Sequence, residues 1–289
     1  MSHTHAGSQR RVIIALVLTG TFMLVEVVGG ILSGSLALLA DAGHMLTDTM
    51  ALGLSAMAFH VSRRPPDGSL TYGYQRFQIL AAFVNGLSLL LIVGWIVFEA
   101  FSRFLNPREI MAETMLVIAT VGLVVNLISF VVLHTGDRDN LNMRGAALHV
   151  AGDLLGSIAA IVAALVIITT GWVLIDPLLS IIVAGLILRS AWSLVKRSAH
   201  VLLEGAPEWL DVDAMQQHII DHVPGVDGIH HVHIWGLTPQ QLMLTMHVTV
   251  GEPIASQSAV IRDVKSLLQQ EYGVGHSTIE IEIDGCADH

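Results

Sequence analysis

The sequence predicts an α-helical polytopic membrane domain joined to a small C-terminal α+β domain. Three observations carry this. Hydrophobic residues make up 53% of the chain and charged residues only 13%, about half the charged share of a soluble domain. The apolar residues fall into runs at about 12–32, 36–60, 77–105, 112–134, 145–169 and 175–196, each long enough to cross a bilayer as a helix, which takes roughly 20 residues. Beyond residue 205 the composition turns polar and acidic.

Taken in order, the first run follows Arg10 and Arg11. It is too long for a cleaved signal, leads directly into the second run and carries no Ala-x-Ala-like cleavage site. Arg63, Arg64 and Arg76 separate helices 2 and 3, Arg138 and Arg144 separate helices 4 and 5, and Lys196 and Arg197 follow helix 6. Only Arg103 and Arg108 lie near the opposite loops, so the positive-inside rule puts both termini in the cytoplasm. Asn85 and Asn126 are expected to hydrogen-bond between helices. Asp176, just before Pro177, is expected to cap helix 6.

The stretch "EGAPEWLDVD" marks a boundary near residue 205. After it, "DVDAMQQHIIDHV" has helical spacing with Asp211 as N-cap. "GIHHVHIWGL" and "QLMLTMHVTV" read as strands around the turn Thr238-Pro239-Gln240. "SQSAVIRDVKSLLQQEYG" is an amphipathic helix ending at Gly273. "STIEIEI" alternates, with Ile279, Ile281 and Ile283 on one face and Glu280 and Glu282 on the other. These elements make a sheet with two helices on one face. Arg262 and Lys265 are the only strong bases beyond residue 205. So acidic a segment excludes nucleic acid as a partner and suits cations. Cys286 is the single cysteine, so no intrachain disulfide forms.

Two of the apolar runs carry ionisable pairs, "HMLTD" (His44, Asp48) and "HVAGD" (His149, Asp153). Residues four apart share one helix face. An Asp at a helix centre costs about 2.5–3.5 kcal/mol on insertion scales. Such residues persist where they face each other, water or an ion. The plain alternative is a His–Asp hydrogen bond within each helix. If helices 2 and 5 pack together, the pairs become two imidazoles and two carboxylates, a tetrahedral set that suits zinc. The set disfavours copper(I), magnesium and calcium and leaves zinc ahead of cadmium, cobalt and iron(II). Gly43, Gly152 and Gly156 permit a close approach, and matching segments of this kind meet near the bilayer midplane. Glu26, Asp41 and Glu99 are further acids near or within the spans, with Asp41 placed to line an outward vestibule. His3 and His5 are read as a disordered terminus, and His218 and His222 as a solvent-facing pair.

The stretches "SGSLALLADAGHMLTDTMALGLS", "NMRGAALHVAGDLLGSIAAIVAALVI", "DPLLSIIVAGLIL" and "HHVHIWGLTPQQLMLTMHV" resemble the cation diffusion facilitator family, in particular its bacterial zinc-efflux members and their animal relatives. The resemblance covers nearly the whole chain. It implies a cytoplasmic tail at 1–11, a transport domain of six transmembrane helices at 12–200, and a cytoplasmic ferredoxin-like domain for metal binding and dimerisation at 205–289. It implies a homodimer in the plasma (inner) membrane that exports divalent cations against protons, with Zn2+ as substrate and regulatory ligand. The family's transport ligands match His44, Asp48, His149 and Asp153, and a histidine at the first position goes with zinc preference.

The family's cytoplasmic site maps to His230, His247 and Glu282, with Cys286 as an addition. Strict alternation instead favours His231 and His233, because Val232 and Ile234 look like core, and sequence leaves that choice open. The loop "TYGYQRFQIL" departs from the family pattern, with Gln75 in place of a histidine and Gln78 in place of a glutamate. That speaks against a loop metal site.

Rival functions fare worse. There is no H-E-x-x-H of a zinc hydrolase and no G-x-x-x-x-G-K-[ST] of an ATPase. A membrane-anchored metal sensor needs no ligands at mid-bilayer, and tight tetrahedral binding suits a carrier better than a channel.

Overall fold

A computed structural model describes residues 2–62, 64–134, 141–251, 257–283, 285 and 286; within the helices, the side chains of residues 2–16, 48, 50–52, 55, 56, 59, 133, 134 and 141–152 lie outside the described set. Contacts divide the chain into two compact units, Met1–Ala56 with Val84–Val195 and Met57–Phe83 with Lys196–His289.

Each apolar run is helical: α1 (Ser2–Ser33), α2 (Leu36–Ser62), α3 (Phe77–Leu105), α4 (Ala112–His134), α5 (Leu141–Thr170) and α6 (Ile175–Leu202). Among the described residues, Phe77–Leu105, Ala112–Val132, Asp153–Thr170 and Ile175–Leu202 are long and apolar enough to cross a membrane. Val17–Ser33 and Leu36–Thr47 are shorter apolar stretches. This is a multi-pass helical membrane protein. α6 runs past the expected end at 196 because no breaker occurs until Glu204, which turns to a φ of 60°, and Gly205.

In the first unit α2 divides its surface. Leu36 and Ala40 share a core with Leu89, Val93 and Ile96 of α3 and Ala184 and Ile187 of α6. Ala37 and Leu38 pack with Met115 of α4 and Ala160 and Ala163 of α5. Met45 meets Phe22 and Met23 of α1. Asn126 Nδ2 donates to Ser157 Oγ at 3.3 Å, joining α4 to α5 as expected. Asn85 Oδ1 is buried with no hydrogen-bond partner.

Asp176 corrects an expectation. It lies in the first turn of α6 but caps α2. Its carboxylate accepts from the backbone N–H of Leu36 at 2.7 Å and Ala37 at 3.1 Å, and from Ser35 Oγ at 2.6 Å. The first N–H groups of a helix have no internal partner, and a carboxylate there also meets the positive end of the helix dipole. Arg103 of α3 completes the group. Its Nη1 lies 3.5 Å from Asp176 Oδ2 and donates to Gly34 O, and its Nε donates to Glu99 Oε1 at 3.1 Å. Sequence proximity pointed to α6; the partner is a distant turn where Ser35 Oγ already accepts from Leu38 N at 3.2 Å and Asp176 takes the N–H groups of Leu36 and Ala37.

The second unit holds α7 (Val212–His222), β1 (Val226–Thr238), β2 (Gln241–Val250), α8 (Gln257–Tyr272) and β3 (His276–Glu282). Asp211 caps α7 as expected, Oδ1 accepting from Ala214 N at 3.1 Å. The sheet order is β1-β2-β3, with β1 antiparallel to β2 and β2 parallel to β3. A parallel neighbour needs a crossover, and α8 supplies it. Met215 and Ile219 of α7 and Val260, Val264 and Leu268 of α8 pack onto Ile234, Leu244, Met246 and Val248 of the sheet. Ile279 and Ile281 join this core, but β3 stops at Glu282 and Ile283 is 42% exposed, so the alternation ends one residue early.

The same unit includes the α2–α3 loop. Asp67 accepts from Ser69 N, Leu70 N and the hydroxyls of Ser69 and Tyr74, and Arg76 pairs with Glu204 at 3.1 Å. Gln78 Nε2 donates to Ser62 Oγ at 2.8 Å, a structural use for that side chain.

Asp176→Ala removes one of the two carboxylates at Arg103 and leaves the buried N–H groups of Leu36 and Ala37 without an acceptor. The expected loss is about 1–3 kcal/mol, the range for a buried donor left unsatisfied. Thermal unfolding of the purified protein in detergent checks this; an unchanged midpoint would assign the α2 cap to another group.

Candidate functional site

Two places gather the residues that sequence singled out. In the first unit, His44 of α2 is half-buried and Asp153 of α5 is 4% exposed. The side chains of Asp48 and His149 lie outside the described residues, although both positions are helical. What the structure describes is how closely α2 meets α5. Asp41 Oδ1 stands 3.0 Å from the point a Cβ of Gly156 would occupy, closer than most Cβ atoms approach a neighbour, so a larger residue there would push the carboxylate aside. Gly43 serves a different contact, since its Cβ position is 3.1 Å from Ile92 Cγ2 on α3. Asp41 is 6% exposed and packed rather than lining an open vestibule.

In the second unit, His230 of β1, His247 of β2, Glu282 of β3 and Cys286 offer ligand atoms that all lie within 4.8 Å of one another. His230 and His247 are direct cross-strand partners. The ladder slips between His230 and His233, and His231 takes a φ of 48°. This bulge answers the alternation conflict. Two residues on β1 oppose one on β2, so the parity of facing side chains changes between His230 and His233. Val232 and Ile234 stay against the core while His230 turns to Glu282. His231 sits beside the group, its ring 4.9 Å from that of His247. His233 faces Thr245 and lines a separate cleft with Glu204, Val232 and Trp235. A positive φ at a non-glycine residue has no sequence signature here, and alternation fails where it occurs.

The ligand atoms around Glu282 are close enough together to hold a cation. His247 Nδ1 is 2.8 Å from Glu282 Oε1. His230 Nε2 is 2.9 Å from Glu282 Oε2, yet the angles make no hydrogen bond and both atoms remain unsatisfied. Cys286 Sγ lies 3.7 Å from His247 Nδ1. Burial pushes the Glu282 carboxyl up, but hydrogen bonds from His247 and Cys286 and the facing imidazoles outweigh it and hold it below the usual carboxylate range. It is therefore ionised at neutral pH. Two imidazoles, a carboxylate and a thiol are borderline-to-soft donors of the kind zinc takes. His218 and His222 stack at 4.1 Å on α7 and bring no third ligand with them among the described residues.

The family model described as the cation efflux transmembrane domain matches residues 12–203, and that described as the cation efflux protein cytoplasmic domain matches residues 207–284. The chain is 47% identical to "Zinc transporter ZitB" of Pectobacterium atrosepticum, over 99% of this chain and 89% of that protein. It is 41% identical to the "Cadmium, cobalt and zinc/H(+)-K(+) antiporter" of Bacillus subtilis, over 98% of this chain and 93% of that one. A solved structure, the metal-bound C-terminal domain of the CzcD transporter from Cuprividus metallidurans, is 30% identical, covers 26% of this chain and 100% of its own, and has a TM-score of 0.24.

Replacing His247 by Ala in the full-length protein is expected to weaken zinc binding at the second-unit site by at least about 10–100-fold, the loss that disturbing even a ligand's outer partner produces. Titration calorimetry on the detergent-solubilised protein reads this. Undiminished zinc binding would make the cluster a plain hydrogen-bonded surface.

Proposed function

The chain belongs to the cation efflux family, whose members are transporters and not enzymes, and on that premise we propose that it exports zinc in exchange for protons through a site made by His44, Asp48, His149 and Asp153. The observation that carries the reading is the seat of Asp41 on Gly156. Ala37, one turn before Asp41, shares a core with Ala160, one turn after Gly156, so α2 and α5 run antiparallel. One turn in the other direction brings position 44 level with position 153. A further turn brings position 48 level with position 149. The register supports four ligands at two adjacent levels between the helices.

Carrier chemistry follows from those ligands. Zinc binds when both imidazoles are neutral and both carboxylates ionised, so metal and protons compete for the same groups. Histidine changes charge in the physiological range, and rocking of helices about a fixed site alternates access. The names of the relatives support the cargo and the counter-ion, zinc for one, and cadmium, cobalt and zinc against H+ and K+ for the other.

On the same reading α1 to α6 all span the inner membrane with both termini cytoplasmic. The second unit contributes a ferredoxin-like domain that lacks its first strand, and it holds a regulatory metal at His230, His247, Glu282 and Cys286. Two copies pair through these acidic domains, and bound zinc offsets their mutual repulsion. A sensor without transport is the lesser reading, since it gives no use to ligands within the membrane.

Asp153→Ala and Asp48→Ala are each expected to abolish zinc flux in reconstituted vesicles, while the purified proteins keep the parent's helical content and elution profile. Normal flux in either would remove the site. His44→Asp is expected to raise cadmium uptake relative to zinc, because oxygen replaces a borderline nitrogen; isotope uptake with both metals measures the ratio, and an unchanged ratio argues against His44 as a ligand.

A further inference from the structure

Two side-chain oxygens on α4 are buried and left without a partner. The buried stripe of α4 runs through Met115, Ala119, Gly122, Asn126 and Ser129, while Val121, Val124, Leu127 and Ile128 on its flanks are exposed. Asn126 and Ser129 are fully buried, and Asn126 Oδ1 and Ser129 Oγ have no hydrogen-bond partner among the described residues. A hydroxyl inside a helix commonly donates to the carbonyl four residues back, as Thr21, Ser88, Thr120 and Thr169 do here. Ser129 does not.

The facing helix is α5. Asn126 Nδ2 donates to Ser157 Oγ at 3.3 Å. Earlier in α4, Met115 and Ala119 share a core with Ala163 and Ala164, later in α5, so the two helices run antiparallel. From the Asn126–Ser157 bond, one turn on along α4 reaches Ser129, and one turn back along α5 reaches Asp153. Ser129 is thus level with Asp153, itself 4% exposed. Buried polar groups without partners are costly inside a helix bundle that no bulk solvent enters. A buried water meets that need where it finds two to four polar partners. Asn126 Oδ1, Ser129 Oγ and the Asp153 carboxylate supply three within one turn.

We propose that Asn126 and Ser129 hold a water molecule against the Asp153 carboxylate and so position Asp153 as a zinc ligand. The inference rests on the four-ligand reading above. Asn126 and Ser129 do not touch the ion and are positioning residues. The donors and acceptors balance. Asn126 Oδ1 only accepts, because its amide nitrogen is turned to Ser157. The water gives it one O–H, gives the other to the carboxylate, and accepts from the Ser129 hydroxyl. A carboxylate held in this way keeps its other oxygen free for the metal, and ligating carboxylates depend on such outer partners. The hydrogen bond is present whether or not zinc is bound, so less ordering is left to do when the ion arrives.

The test is zinc flux through the full-length protein in reconstituted vesicles, measured across zinc concentrations. Ser129→Ala and Asn126→Leu are each expected to raise the half-saturating zinc concentration by about 10-fold or more, the effect of losing an outer partner of a metal ligand. The maximal rate should stay within about twofold, the pattern of a binding loss. Ser129→Thr keeps the hydroxyl and should restore the parent's value, which a packing defect at this position would not allow. One water serves both residues, so the Ser129→Ala/Asn126→Leu double variant should be no worse than the worse single variant, whereas factors that multiply overturn the shared water. An unchanged half-saturating concentration in both single variants overturns the positioning role. If Asn126→Leu does not fold, having also lost the Ser157 bond, Ser129→Ala against Ser129→Thr decides alone. Asp153→Ala is run beside them. Normal flux in Asp153→Ala removes the four-ligand site and this inference with it. No flux there, with Ser129→Ala indistinguishable from the parent, overturns the water and leaves the site standing.

Discussion

Burying a charge is the constraint on which this molecule is built. An isolated ion in a low-dielectric interior is held only if partners replace the water it gave up. Each buried acid can be ranked by how it meets that demand. Asp176 is fully met, by two backbone N–H groups, a hydroxyl and a guanidinium. Glu282 is half met, with one oxygen bonded to His247 and the other left against a nitrogen that makes no hydrogen bond to it. Glu26 and Asp41 each keep a buried oxygen with no hydrogen-bond partner among the described residues. A satisfied acid is architecture. The unsatisfied ones mark where something mobile and positive belongs.

The satisfied acid fixes α2, and α2 organises the helical unit. Its N-terminal end is tied to α3 and α6 through Asp176 and Arg103. Its middle is pressed against α1, α4 and α5. Only small side chains allow a helix to serve two neighbours so closely: Ala37 and Ala40 on α2, Gly156 and Ala160 on α5. In lipid the apolar surroundings give helices little reason to associate, so close van der Waals packing at small residues does that work.

Much of this was legible from residues alone. Helix positions in the first unit follow from run length, because only backbone bonded to itself crosses lipid, and the αββαβ order of the second unit follows from periodicity and turn residues. The four residues proposed for transport stand out in the sequence because charge inside an apolar run is costly enough to need a reason. Three things were not legible, and each was non-local. Asp176 serves a helix far away in sequence, so a local cap rule misassigns it. The His230 bulge depends on a positive φ at His231 that no residue type announces, so strict alternation does not find the grouping of His230 with His247 and Glu282. The burial of Glu26 and Asp41 is set by neighbouring helices, and neither residue has a motif around it.

The two proposed zinc sites differ in a way that fits their tasks. A transported ion must leave every cycle, so its site has to bind well enough to load and poorly enough to release. Two imidazoles and two carboxylates do this, because each ligand can be taken by a proton and the competition empties the site. A signalling ion should stay as long as cytoplasmic zinc is high. The second-unit site has a softer donor in Cys286, and thiolate favours zinc over the harder cations that dominate cytoplasm. It also draws one ligand from each strand and one from the segment after β3, so the metal closes the open end of the sheet and its loss frees that end. A proton-sensitive oxygen–nitrogen set within the helices and a sulfur-containing clasp at the sheet edge give one chain a site that lets go and a site that holds on.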